Sequence, residues 1–259
     1  MPEYCIGAQL FTLREYTQTI EDIQTTLKRV ADIGYKTVQI SGGGFFKVDP
    51  DAVADVLKST GLQCVATHMG WNSFLEDLDN VIAIHKKWDC KHLAIGSLGG
   101  EYFESLEGVD RFKKELEPVA ARLKAEGMDF SYHNHSHELV QYDGQTWLGY
   151  LYESIPGDIL KAEIDVHWIT RGGGDPAAWI KKCAGRQPLL HVKDFRVSRE
   201  REPLFAPVGE GNMNWPAIIE AAKASGVDYY LVEQDQCYDE DPFDCLAQSY
   251  KNLQSFGLC

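Results

Sequence analysis

The sequence predicts an α/β protein, a (β/α)8 TIM barrel, and three observations carry the barrel. Short apolar runs alternate with helical stretches from end to end, the unit recurs about every 30 residues as a strand–helix repeat does, and the count reaches eight pairs. Strict alternation implies parallel strands joined by right-handed crossovers. Eight such units favour closure over an open doubly wound sheet, and no G-x-G-x-x-G turn follows the first strand.

The elements read in order as follows. Cys5-Ile-Gly-Ala-Gln-Leu-Phe is an apolar run, and in residues 17–34 Ile20, Ile23, Leu27, Val30 and Ile33 recur at helical spacing until Gly34 stops the helix. A second strand at 36–41 ends in three glycines, Gly42 to Gly44, before a helix at 51–60. Strand three is at 64–69 with a helix at 73–87, and strand four at 92–97 with a long helix at 109–126. Strand five is at 130–135, followed by a helical turn at 147–154. Strand six, at 160–166, precedes a helix at 175–183 in which Pro176 suits the first turn. Strand seven at 189–195 leads to a helix at 214–225, and strand eight at 229–235 to the last helix at 241–256. No Pro/Gly/Ser-rich linker interrupts the series, so residues 1–259 read as a single TIM-barrel domain.

With 44% hydrophobic residues and six tryptophans the chain has ample material for a core. A formal net charge of −14 with no basic run repels phosphate backbones and anionic membranes, so neither nucleic acid nor membrane is an expected partner. The start, Met1-Pro-Glu-Tyr-Cys, lacks a basic, apolar leader, and no stretch reaches the roughly 18 apolar residues of a membrane span. The seven cysteines are scattered, never C-x-x-C, and have no nearby base in sequence. A reducing, cytoplasmic compartment is the expectation, without a catalytic thiol. Barrels often pair, and a homo-oligomer is compatible with the aromatic surface.

The chemistry sits at the strand ends. In Asp129-Phe-Ser-Tyr-His-Asn-His-Ser-His-Glu an alternating strand breaks into three histidines and a carboxylate, which a core does not require. If Phe130 and Tyr132 face outward, His133 faces the barrel axis, and the same parity turns Asp165, His191 and Glu233 inward beside Ile164, Leu190 and Val232. Four adjacent strands then offer two imidazoles and two carboxylates at the C-terminal mouth, where TIM-barrel sites lie. Any one of these residues alone would more often be a satisfied core or ion-pair residue. Together, in a barrel interior normally filled by Val, Ile and Leu, they form a divalent-metal set. Mixed nitrogen and oxygen donors suit Mn²⁺, Co²⁺, Fe²⁺ or Zn²⁺, and Mg²⁺ less well.

These motifs carry a resemblance. Gly7-Ala-Gln-Leu-Phe-Thr-Leu-Arg, Tyr132-His-Asn-His-x-x-Glu, Glu163-x-Asp165, His191-Val-Lys-Asp, Gly209-Glu-Gly and Val232-Glu-x-Asp resemble, in order and over nearly the whole chain, the xylose-isomerase-like TIM-barrel superfamily and its sugar phosphate isomerase/epimerase group. The resemblance implies one catalytic divalent metal ion and a small carbohydrate or polyol substrate, with Asp165, His191 and Glu233 matching the family's ligands. Two positions depart from it. Many epimerases of the group carry a glutamate on strand five where this chain has His133, with Glu138 as a substitute five residues on. The family's histidine three residues past the strand-six aspartate is replaced by Trp168, with His167 one residue earlier.

Around the set, Lys193 shares the parity of His191 and is a candidate to steady an oxyanion, or an ion-pair partner of Asp235 or Glu210. His135 is a candidate acid/base or a residue orienting a ligand. His68, Trp168, Glu210 and Phe11 are candidate substrate contacts, although aromatics there are as often wall as platform and a turn glutamate is usually solvated. Glu163 points inward one layer below Asp165, where it must be paired or protonated.

The implied activity is isomerisation or epimerisation of a sugar, sugar phosphate or polyol through a metal-stabilised enediolate, with Glu233 or His135 as the base. A lyase or dehydratase acting on a keto-sugar or inosose shares that intermediate and is the alternative. Phosphodiester hydrolysis, used by an endonuclease branch of the superfamily, wants several metals and a basic groove, and a non-catalytic sugar-binding barrel would have damaged ligand positions.

Overall fold

The computed structural model describes residues 5–259; residues 1–4, part of the start read above as leaderless, lie outside the described residues. Eight parallel strands close into a barrel: β1 (Cys5–Gln9), β2 (Thr37–Ile40), β3 (Gln63–His68), β4 (His92–Ile95), β5 (Asp129–His133), β6 (Lys161–Asp165), β7 (Leu189–Val192) and β8 (Tyr229–Val232). They neighbour one another in chain order, as the alternation predicts. Closure occurs at β1, where Gly7 lies opposite Leu231 of β8 on one side and Thr37 of β2 on the other. A Cβ on Gly7 would stand 2.7 Å from Leu231 Cδ2 and 2.8 Å from Thr37 Oγ1, so the seam is narrow enough to require glycine.

Helices cover the outside of the barrel, and their starts are written in the sequence. Thr19 and Asp22 form a reciprocal capping box at the first helix, Ile20–Ile33. Asp49, Asp175 and Asp241 each accept a backbone N–H just before a proline-led helix. The main core lies between these helices and the outer barrel face, while Val65, Ala66, Leu189 and Leu231 form a small apolar floor inside the cylinder. Polar side chains fill the space above that floor.

The differences from the sequence reading fall at the strand ends. β5 stops at His133, leaving His135 on the loop beyond. β6 passes straight into an unanticipated helix, Val166–Arg171, because the Asp165 carboxylate accepts the Trp168 N–H at 3.0 Å and caps it. β7 stops at Val192, and the expected continuation to Phe195 is instead an antiparallel hairpin of Asp194–Val197 with Pro203–Ala206. Asp194 is the reason: its buried carboxylate accepts the N–H groups of Phe195 (2.8 Å), Gly209 (2.9 Å), Gly211 (3.1 Å) and Met213 (3.4 Å) and the Trp215 Nε1–H (2.6 Å). The expected helix at 73–87 is two, Trp71–Glu76 and Leu78–Lys87, parted at Asp77 with φ −146° and ψ 50°. No helix among the described residues is long and apolar enough to cross a membrane, and no disulfide forms among the described residues.

Candidate metal centre and active site

The ends of β5 to β8 bring His133, Asp165, His191 and Glu233 together. Asp165 stands level with His191 on the adjacent strand, and His191 level with Leu231, two residues before Glu233. One donor atom from each of the four lies within 4.8 Å of the others, and all four side chains are buried. His133 Nε2 is 3.3 Å from Asp165 Oδ2, and His191 Nδ1 is 2.9 Å from Glu233 Oε2 and 3.8 Å from Asp165 Oδ2.

Lys193 enters the same space from just past β7. Its ammonium, 1% exposed, is 3.1 Å from Asp165 Oδ2, 2.9 Å from Glu233 Oε2 and 2.8 Å from Asp235 Oδ1, with the Trp168 ring centre 5.5 Å away. Of the two ion-pair partners considered from sequence, Asp235 is engaged and Glu210 is not. Burial alone would raise the Asp165 and Glu233 carboxyls, but the ammonium and the imidazoles hold both below the usual range. Burial would lower Lys193 and His191; the surrounding carboxylates reverse that, lifting Lys193 above its ordinary value and His191 to about 10. Asp235, partly buried and facing the charge of Glu233, is pushed up to about 7.

One layer deeper, Glu163 is fully buried and fully paired. Its Oε2 is 2.6 Å from His68 Nε2, and its Oε1 is 2.6 Å from Gln39 Nε2 and 3.2 Å from His191 Nε2. Gln39 Oε1 in turn lies 2.7 Å from His191 Nε2. The imidazoles of His68 and His191 stack with centroids 5.3 Å apart and planes within 10°.

A cavity of about 310 Å³ opens above these layers, lined by Phe11, His68, His133, His135, Lys193, Glu233 and Asp235, with Gln9, Ser41, Gly96 and Ser97 from the remaining strand ends. Phe11, His68 and His135 thus line the pocket as well as being singled out by sequence, and Trp168 packs against His135 at 5.3 Å and over Lys193. Glu210 is a correction to the predicted substrate contacts. Its carboxylate faces outward, accepting from Gln248 Nε2 at 3.1 Å and Asn252 Nδ2 at 2.9 Å on the last helix, because Asp194 draws the flanking Gly209 and Gly211 inward by their backbone.

Glu138 is not among the four convergent donors and groups instead with His135 and His137. It accepts from the Tyr132 hydroxyl at 3.0 Å and the His135 N–H at 2.9 Å, and burial pushes its pKa up to about 7. His135 itself is lowered by burial, and by the charge of His133, to about 3, so it is neutral at pH 7. His167 is turned away onto the hairpin, stacked on Phe205 with centroids 4.7 Å apart.

Sequence reading overlooked Gln39, Gln9, Ser41 and Ser97. Gln39 had a signal, a polar residue at inward parity in the apolar strand Thr37-Val-Gln-Ile; the serines, on loops past β2 and β4, had none.

The donor set fits a divalent ion. Two imidazoles and two carboxylates converge within one coordination sphere, burial and the neighbouring His191 lower the His133 pKa, and the buried carboxylates outnumber the one lysine among them. Gln39, accepting the His191 Nε2 proton, leaves Nδ1 to face the other donors.

The fold is shared with solved structures. A sugar phosphate isomerase/epimerase from Parabacteroides distasonis ATCC 8503 superposes with a TM-score of 0.82 at 21% identity, over 98% of this chain and 95% of that one. An L-ribulose 3-epimerase gives 0.75 at 18% identity over 98% and 94%. The probable 3-DHS dehydratase AsbF from Bacillus anthracis gives 0.70 at 13% identity over 96% and 98%. No curated protein matches the chain in sequence at a significant level. The model of the xylose isomerase-like TIM barrel matches residues 27–248, the span that carries seven of the eight strands and all four convergent donors, and the chain belongs to that family.

Proposed function

We propose that the protein is a divalent-metal-dependent isomerase or epimerase of a sugar, sugar phosphate or polyol. The observation that carries this reading is the convergence of His133, Asp165, His191 and Glu233 beneath a cavity of about 310 Å³, near the lower end of small-ligand pockets and suited to a single sugar. A divalent ion, held by these four residues, would supply Lewis acidity at a carbonyl oxygen. The chain's own groups do the rest. Lys193 fixes the Asp165 and Glu233 carboxylates and offers positive charge beside a developing oxyanion. Glu233 and His135 line the cavity as candidate proton carriers, Phe11 and His68 wall the space for the sugar ring, and Trp168 backs His135.

A second reading, β-elimination from a keto-sugar or inosose, is favoured by one specific feature. With His133 on β5 and Glu138 bonded back to Tyr132 and His135, the β5 side offers no free carboxylate to return a proton. Elimination needs one base where epimerisation needs two. The experiment is elemental analysis followed by incubation with ketoses, inososes and 3-keto-sugars in D₂O. The isomerase reading expects a bound divalent ion and carbon-bound deuterium with every substituent retained. Loss of water or of an aglycone replaces it with the lyase reading, and a metal-free protein that exchanges nothing ends both.

A further inference from the structure

Glu233, one of the two proton carriers named above, is held by Lys193 and by His191, each at 2.9 Å, and the ring of the other, His135, packs against Trp168. His68, at the end of β3, is in a different condition. It lines the cavity with its side chain 10% exposed, bonds Glu163 through Nε2 at 2.6 Å, and among the described residues has no partner at Nδ1. A Cβ on Gly96 would stand 3.4 Å from that Nδ1, so a glycine keeps the nitrogen's outlook open.

One carboxylate orders the hydrogen bonds of both rings. Glu163, ionised, only accepts, so His68 Nε2 must carry its proton and Gln39 must turn its NH₂ toward Oε1. That turns Gln39 Oε1 toward His191, whose Nε2 must also carry a proton. Both rings, stacked face to face, are therefore held with the proton on Nε2.

We propose that Glu163 is a positioning residue that sets two imidazoles at once, directing His191 Nδ1 to the metal donors, and that His68, so held, is a catalytic residue accepting a proton from substrate at Nδ1. The second half rests on the isomerase reading. The C–H bond beside the carbonyl breaks, its proton bonds to Nδ1, its electron pair forms the carbon–carbon double bond, and the carbonyl pair moves to oxygen. The charge gained by His68 is balanced by Glu163 at Nε2, as in other carboxylate-oriented histidines. Return of the proton to the neighbouring carbon, with the hydroxyl proton passing from one oxygen to the other as the new carbonyl forms, isomerises the sugar.

Two measurements test this. In Zn²⁺-loaded protein carrying ¹⁵N-histidine, long-range ¹⁵N–¹H spectra are expected to show His68 protonated at Nε2 and bare at Nδ1, and Glu163→Gln is expected to mix the ring states of both His68 and His191. A proton on His68 Nδ1 in the parent protein, or unchanged spectra in the variant, overturns the positioning role whatever the reaction is. In D₂O with D-allulose or L-ribulose, His68→Gln is expected to lower deuterium uptake by about 10²–10⁴-fold with Mn²⁺ content unchanged, and imidazole to restore part of the rate to His68→Gly. A loss below tenfold overturns the catalytic role. If the parent protein exchanges neither ketose, the catalytic half goes with the isomerase reading and the spectra alone decide the positioning half.

Discussion

Lys193 Nζ lies 2.9 Å from Glu233 Oε2, so a single carboxylate oxygen serves both a fixed ammonium and the group of donors suited to a metal. The site is thus held together by an internal cation before any ion is added. Asp165 Oδ2, 3.1 Å from the same ammonium, is shared in the same way.

Lys193→Met leaves Asp165, Glu233 and Asp235 facing one another without their counter-charge. Removing one partner of a buried ion pair costs about 3–5 kcal/mol. Urea denaturation of metal-free protein is expected to show a loss of that order, and Mn²⁺ to recover more stability in the variant than in the parent protein. An unchanged midpoint without metal would mean that the ammonium is dispensable.

Asp165→Asn and His191→Ala each remove a donor from the centre of the set. Elemental analysis after dialysis is expected to find the ion retained by the parent protein and lost by both variants. Free metal at a hundredfold excess over Kd stabilises a folded protein by about 2.7 kcal/mol, so a chelator should lower the parent melting temperature while leaving both variants where they are. A chelator-insensitive parent protein would argue against a metal.

Glu138 makes stability depend on pH in a stated direction. Its pKa is raised by burial from 4.5 to about 7 in the folded chain, so the unfolded chain loses that proton first. Between these values the folded state binds more protons, and stability falls as pH rises until it levels off above about 7, a contribution of about 3 kcal/mol in all. Glu138→Gln lacks this loss. The stability difference between variant and parent, from urea titrations at pH 5 and pH 8, is expected to move in the variant's favour as pH rises, and a constant difference would refute the assignment.

Asp194→Ala deprives five N–H donors of their common acceptor. Leaving buried donors unpaired costs about 1–3 kcal/mol each, with strong non-additivity. Limited proteolysis is expected to cut within residues 196–213 far faster in the variant. Gly211→Ala should do the same, because its Cβ would collide with Asp194 Oδ1 and the Phe195 carbonyl. Equal cutting rates would show that the loop is held by something else.

Everything governed by short periods was legible in the chain alone. Alternation of strand and helix set the barrel, and the two-residue period of a strand set which side chains face its axis, so His133, Asp165, His191 and Glu233 fall on one ring by parity. Helix starts were equally local, as Asp49, Asp175 and Asp241 before proline-led helices illustrate. Where strands stop, and which partners meet across the barrel, depended on the folded whole. Gln39 and His191 are 152 residues apart in the chain and 2.7 Å apart in space. Glu210 turned outward and β7 broke into a hairpin because the Asp194 carboxylate gathered the backbone of a distant loop. Parity is a property of the backbone and repeats every two residues, whereas the pairing of buried charges depends on closure of the whole cylinder, which brings together side chains that no local pattern relates.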